Sequence, residues 1–326
     1  MKSLQKLSAV ALTTVAFALG STAAQAQALE KITIVIFAPP SLGALLPPVI
    51  KAQKFDEKNG LDIKFEERTP DAYATQFNSG EFKIGGSASL TTLGLADVRG
   101  VKVKYLFNLF DFWGAVVTSR DSVKTLKDLE GKELAGARST TNYQMAEFFE
   151  KKQGVDVSKV KVVNTAPPGL ISYAIADRAD AVQIWEPAYT LMLAKKPSIR
   201  TLDLGIAKTW KEFGGNTLPY LGVGAHADWA DANPGAVQKL YSTYKDAVEW
   251  VQKNPEEAAP LLAKGAPPEE LKAVAAMIKS NERLAMKLTK SADVRKDIEL
   301  VYKAGMEINY LPSMPSAASI YDKPLK

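Results

Sequence analysis

An α/β protein of two lobes is what the residue pattern implies, on three grounds. Short runs rich in β-branched residues alternate with stretches of helical spacing, the pattern of parallel sheet covered by helices. The alternation restarts near Val116, as a second unit would. After an apolar strand around residues 218–223, the chain returns to helical spacing, which suits a segment packing back on the first lobe.

The opening residues stand outside this pattern. Lys2 and Lys6 precede an apolar run over residues 7–19 that ends in small residues around Ala24 and Ala26, the form of a secretory signal peptide. Residues 1–28 are therefore expected to be removed, with cleavage after Ala26 or Ala28. The run is shorter than the roughly 20 residues needed to span a bilayer. What remains is about 300 residues, enough for two domains with sizeable cores. Losing Lys2 and Lys6 takes the formal charge from +5 to +3. The remaining Lys and Arg are interspersed with acids, which disfavours nucleic-acid binding. Cysteine is absent, so stability rests on the core and no lipid anchor is available. The single histidine, His226, excludes a Cys/His zinc site and any His-paired catalytic site not centred on it.

The elements follow in order. Residues 31–37 read as a strand ending at Pro39-Pro40-Ser41, followed by one helix over about residues 44–58 that closes at Asn59-Gly60. Leu61 starts the next strand, Asp71 can cap a short helix bearing Tyr73 and Phe77, and residues 82–84 make a strand into Gly85-Gly86-Ser87. Ser87 then heads a helix. In the second unit, a strand at residues 133–137 leads to Ser139-Thr140-Thr141, which open a helix carrying Met145, Phe148 and Phe149. A strand at 160–163, a helix from Pro167 through Ile175, and a strand at 181–184 complete it. Asn233-Pro234 starts a long helix, and further helices are expected near Pro268 and Ser291.

Two helix starts, at Ser87 and at Ser139, combine hydroxyls, free N–H groups and a positive dipole end, which suit an oxyanion. Ser and Thr also simply cap helices. Trp185-Glu186-Pro187 ends a strand where open α/β sheets bind ligands. Either Trp185 and Glu186 face the space between lobes, or Trp185 covers the core edge and Glu186 caps; the residues alone leave both open. Phe112-Trp113 lies where the chain first crosses between lobes. His226 reads as a surface or hinge residue. Gly222-Val-Gly224 lacks the third glycine of a dinucleotide loop, and Gly85-Gly-Ser87-Ala-Ser89 is not the Gly-x-Ser-x-Gly elbow.

The chain resembles periplasmic solute-binding proteins of the nitrate, taurine and alkanesulfonate type, a group related to proteins that bind the pyrimidine precursor of thiamine. The resemblance rests on the Asn59-Gly60-Leu61 turn, Gly80-Glu-Phe-Lys-Ile-Gly85, Leu126-Lys-Asp-Leu-Glu-Gly-Lys132, Asp180-Ala181 with Trp185-Glu-Pro187, and Asn233-Pro234. It implies a two-lobed periplasmic-binding-protein type II fold with two hinge crossings: residues 29–115 plus 221–326 as lobe 1 and 116–220 as lobe 2. It also implies capture of a small organic anion, a sulfonate or similar carboxylate or aromatic solute, for an inner-membrane ABC permease and its ATPase. Carried over, the ligand contacts are Pro40, Ser41 and Leu42; Ser87 and Ala88; Phe112 and Trp113; Ser139, Thr140 and Thr141; and Trp185 with Glu186. Tyr73 and Asn216 are added. The ligand's body is expected to stack between Trp113 and Trp185, with Glu186 accepting from an amine or ring N–H.

Lys83 and Arg178 stand where the group commonly has aspartate and glycine, and no arginine marks an anion clamp, though Arg138 adjoins the Ser-Thr-Thr cap. The expected protein is a periplasmic monomer without cofactor, metal or catalytic residue. The alternatives are binding of a pyrimidine precursor, nitrate or bicarbonate, a sensory role, or an enzyme on the same scaffold. That enzyme class uses histidine and cysteine-rich motifs, which this sequence lacks.

Overall fold

The computed structural model describes residues 28–326; the signal-peptide expectation falls almost wholly outside the described residues. The first run is β1 (Glu30–Phe37), α1 (Leu46–Ala52), α2 (Phe55–Lys58), β2 (Leu61–Arg68), α3 (Pro70–Asn78), β3 (Ile84–Ser89), α4 (Leu90–Val98) and β4 (Val103–Asp111). The chain crosses and builds β5 (Ala115–Thr118), β6 (Glu133–Gly136), α5 (Thr141–Lys152), β7 (Lys161–Asn164), α6 (Pro167–Ile175), β8 (Ala181–Ile184), α7 (Ala188–Lys195), β9 (Arg200–Leu202) and α8 (Ile206–Glu212). It returns as β10 (Pro219–His226), α9 (Ala227–Ala232), α10 (Pro234–Lys253), α11 (Pro255–Leu262), α12 (Pro268–Ser280), β11 (Met286–Lys290) and α13 (Arg295–Glu307).

Two sheets result, ordered β11-β4-β10-β3-β1-β2 and β7-β6-β8-β5-β9. The predicted parallel pairing holds for β1 with β2 and β3, and for β6 with β7 and β8. The return strand β10 runs antiparallel between β3 and β4, and β5 runs antiparallel to β8 and β9. Both sheets are therefore mixed. At the crossings, the Phe112 N–H donates to the Leu218 carbonyl at 2.7 Å, so the two connecting segments are bonded to each other.

Five local expectations are corrected. The single helix over residues 44–58 is broken, because Lys54 takes a left-handed φ of 53° between α1 and α2. The turn brings the fully buried Asp56 carboxylate within 2.6 Å of Lys51 Nζ and 3.1 Å of the Ile63 N–H, tying α2 to β2. Ser87 does not head a helix: β3 continues through Ser89 because Ala88 and Ser89 pair with Gly222 and Leu221 of β10. Thr69, not Asp71, caps α3, accepting from the Ala72 N–H. The segment after β10 is not purely helical, since β11 adds to β4 through an alternating Met-Lys-Leu-Thr-Lys. Ser291 is buried and donates to the Leu106 and Tyr321 carbonyls, alternatives a hydroxyl cannot fill together with one hydrogen, and α13 waits until Arg295.

The two sheets touch through helices on both flanks. α5 packs on α13 and α4, and α7 packs on α12.

Candidate functional site

The carboxyl ends of the parallel strands converge between the sheets, the position at which open α/β sheets hold ligands. β1 ends at Phe37 and delivers the turn carrying Ser41 and Leu42. β2 ends at Arg68 and starts α3 through Thr69, β7 leads to α6, and β8 ends before Trp185. These segments, with Thr140 and Tyr220, enclose a cavity of about 100 Å³. A second cavity of about 170 Å³ lies beside it, sharing Phe37 and Pro70, with Tyr73, Phe77, Ala88 and Ser139 in its walls. Phe37 meets Tyr73 edge-on at 4.8 Å, and Tyr73 stacks on Phe77 at 5.8 Å, so an aromatic row floors the second space.

The first cavity is reached by the N-termini of α3, α5 and α6. Each contributes a positive dipole end. Their donors differ. Thr140 accepts from the Tyr143 N–H at 3.2 Å and donates to the Ala137 carbonyl, while the Thr141 and Asn142 N–H groups, first in α5, have no intrahelical acceptor. Pro167 and Pro168 leave α6 without N–H groups at its first two positions, and Pro70 does so at the start of α3. The site thus combines a positive field with few donors.

The predicted residues separate into groups. Ser41, Leu42, Thr140 and Trp185 line the first cavity; Tyr73, Ala88 and Ser139 line the second; Pro40 and Ser41 face an adjoining groove. Trp185 is only 6% exposed, so it both belongs to the core and forms cavity wall. Ser87 is fully buried and lines neither cavity, its Oγ accepting from the Phe37 N–H at 2.8 Å as an internal strut. Thr141 is buried too, its hydroxyl 2.6 Å from that of Thr91 across the lobe boundary. Phe112 stacks on Phe149 at 5.7 Å inside the core. Asn216 is exposed and lines neither cavity, its N–H donating to Asp297 at 2.9 Å.

Trp113 also lines neither cavity: it packs edge-on against Tyr189 at 5.0 Å, with the Arg283 guanidinium 6.0 Å from its ring. In the first cavity, the aromatic rings beside Trp185 are Phe37 and Tyr220. Glu186 is 1% exposed and already engaged, accepting from the Thr190 N–H at 3.0 Å, the Thr190 hydroxyl at 2.9 Å and Arg283 Nε at 2.8 Å. Pro187, its neighbour, caps α7 rather than entering its first turn. His226 is neither at the surface nor in a crossing; it is buried, with Nε2 2.6 Å from the Phe77 carbonyl and its ring edge-on to Phe77. Arg138 is exposed and lines neither cavity.

Sequence reasoning missed Phe37, Arg68 and Tyr220. The first two stand at strand carboxyl ends, a positional signal that could have found them. Arg68 reaches the cavity wall but is occupied by Gln76 at 2.7 Å and Glu66 at 3.2 Å. Lys64 and Arg68 together hold the Glu66 carboxyl below its usual range.

Comparison with known proteins places this geometry. The profile of the NMT1/THI5 like family matches residues 49–258. A binding protein of Brucella abortus (strain 2308) is 23% identical over 213 residues, 64% of this chain and 63% of that protein, so the match spans under two thirds of the relative. Among solved structures, the alkanesulfonate-binding protein SsuA from Xanthomonas axonopodis pv. citri, bound to MOPS, superposes with a TM-score of 0.71 at 19% identity, covering 90% of this chain and 99% of that one. The periplasmic aliphatic sulphonate binding protein SsuA from Escherichia coli gives 0.68 at 18% identity, over 88% and 95%. A Candida albicans protein described as having the generic periplasmic binding protein fold gives 0.65 at 12% identity, over 91% and 97%. With two mixed sheets facing a cavity at their strand ends, and a family match over more than half its length, the chain belongs to the NMT1/THI5-like family and has the periplasmic-binding-protein fold.

Proposed function

We propose that this protein is the substrate-binding component of an ABC importer that captures a small organic anion, a sulfonate or a carboxylate with an apolar body. The observation that carries this reading is the convergence of three helix N-termini on a largely apolar cavity between the two sheets. The positive ends suit a delocalised negative charge, and the shortage of N–H donors favours a weakly hydrated head over one needing many hydrogen bonds. Trp185, Phe37 and Tyr220 receive the body. Bridging the six-stranded sheet on one side and the five-stranded sheet on the other, the ligand favours the closed form, which is then handed to an inner-membrane permease and its ATPase. The chain acts in the periplasm as a monomer after loss of residues 1–28. No bond is made or broken: the one histidine, His226, is committed to the Phe77 carbonyl.

Thermal-shift screening followed by calorimetry, with alkanesulfonates, aromatic carboxylates, nitrate, bicarbonate and pyrimidines, tests the reading. Stabilisation by the organic anions is expected. Stabilisation by nitrate or bicarbonate alone, or by a neutral pyrimidine alone, would replace it.

A further inference from the structure

The wall of the first cavity carries one charged side chain among the described residues, Arg68, which is paired with Glu66. The residue after the wall-forming Trp185 is Glu186, a buried carboxylate. Consecutive Cα atoms are about 3.8 Å apart, so this charge lies on the order of 10 Å from a solute held against Trp185. Left alone, it would repel an anion and attract an amine. Thr190 gives it two hydrogen bonds from the same turn, but a hydroxyl and an N–H bring no net positive charge. Arg283 does, its Nε donating at 2.8 Å from the loop between α12 and β11, a strand of the other sheet.

That loop is closely bonded. Asn281 Oδ1 accepts from the Met286 N–H at 2.9 Å, and its Nδ2 donates to the Met286 carbonyl at 3.1 Å. Ala285 takes a left-handed φ of 47°, disfavoured for a residue with a Cβ. Its carbonyl accepts at 2.9 Å from the N–H of Asp111, the residue before the first crossing. The guanidinium then lies 5.3 Å from the Tyr189 ring and 6.0 Å from that of Trp113, within cation–π range. Loop, crossing and rings together deliver one positive charge to one carboxylate, and Arg283 itself lines neither cavity.

We propose that Arg283 is a positioning residue that sets the preference of the site for anions: acting through Glu186, it cancels the carboxylate beside the cavity wall. This rests on the reading of the cleft as an organic-anion site, and the experiment separates the two.

Calorimetric titration of the mature chain with 1-butanesulfonate and with butyrate reads the effect, each variant being checked as folded by circular dichroism at the titration temperature. Arg283→Met is expected to weaken binding about tenfold. Glu186→Gln alone is expected to bind as well or better, and the double variant to return to within about threefold of the unaltered chain. A pair that merely braced the corner would behave otherwise, since losing both partners would be no better than losing one. Full affinity in Arg283→Met, or a double variant as weak as the single one, overturns the proposal. Should Arg283→Met not fold, Glu186→Gln and the double variant decide: bracing predicts that both lose affinity, charge cancellation that neither does. If the unaltered chain binds neither anion, the functional reading itself fails and the role of Arg283 with it.

Discussion

Among their buried contacts on the α5 flank the lobes meet through uncharged groups: the Thr91 hydroxyl lies 2.6 Å from Thr141 Oγ1 and 2.5 Å from Gln144 Oε1. On the α7 flank they meet through charge, with Arg283 Nε 2.8 Å from a Glu186 carboxylate that is 1% exposed. The difference concerns what separation costs. Hydroxyls and an amide exchange partners with water at a net of about 1 kcal/mol per bond. A carboxylate stripped of its guanidinium inside protein loses several times that. Separating the buried contacts would therefore cost less on the α5 flank than on the α7 flank.

The largest test concerns Glu150 on α5, a carboxylate that is 2% exposed, with Oε1 unpaired among the described residues. Burial, aided by the nearby Glu147 charge, pushes it up to about 8. Its folded value lies above its unfolded one, so the stability it lends is full below about pH 4 and is lost as pH rises toward 8. Glu150→Gln is expected to add on the order of 3 kcal/mol at pH 8 and little at pH 4, read by urea unfolding at both. Equal effects at the two pH values would show that the α5 side tolerates charge after all.

Next, Arg283→Met should cost about 2 kcal/mol in urea unfolding, less than the full penalty for a buried pair because Arg283 is 37% exposed. A loss under about 0.5 kcal/mol would erase the distinction between flanks. Thr91→Val should cost about 1 kcal/mol and enlarge the radius of gyration in X-ray scattering, whereas an unchanged scattering curve would mean that the Thr91 contacts do not hold the lobes together. Smallest is Lys152→Ala, which removes an exposed pair with Glu307 at 2.6 Å: under about 0.5 kcal/mol is expected, vanishing in 1 M salt.

The strands and helices of the alternating regions were legible because their periodicity is local: β1, β2, β6 to β8, α5, α6 and α10 all fall close to where the residue pattern puts them. β11 was not legible, since five residues become a strand only when β4 offers an edge. Ser87 misled for the same reason: a hydroxyl beside glycines looks like a helix cap until β10 is there to extend the strand. In the site, Ser41, Thr140 and Trp185 announced themselves as breaks in a pattern. Arg283 could not, because it is 97 residues from the carboxylate it pairs with, and Trp113 was misplaced because its partners, Tyr189 and Arg283, are brought to it only by the closing of both lobes on the same side.

The bond from the Phe112 N–H to the Leu218 carbonyl makes the two passages of chain between the halves behave as one axle. Sliding either half sideways would tear it, whereas swinging about it leaves it whole. A molecule built this way has a spine, like a book.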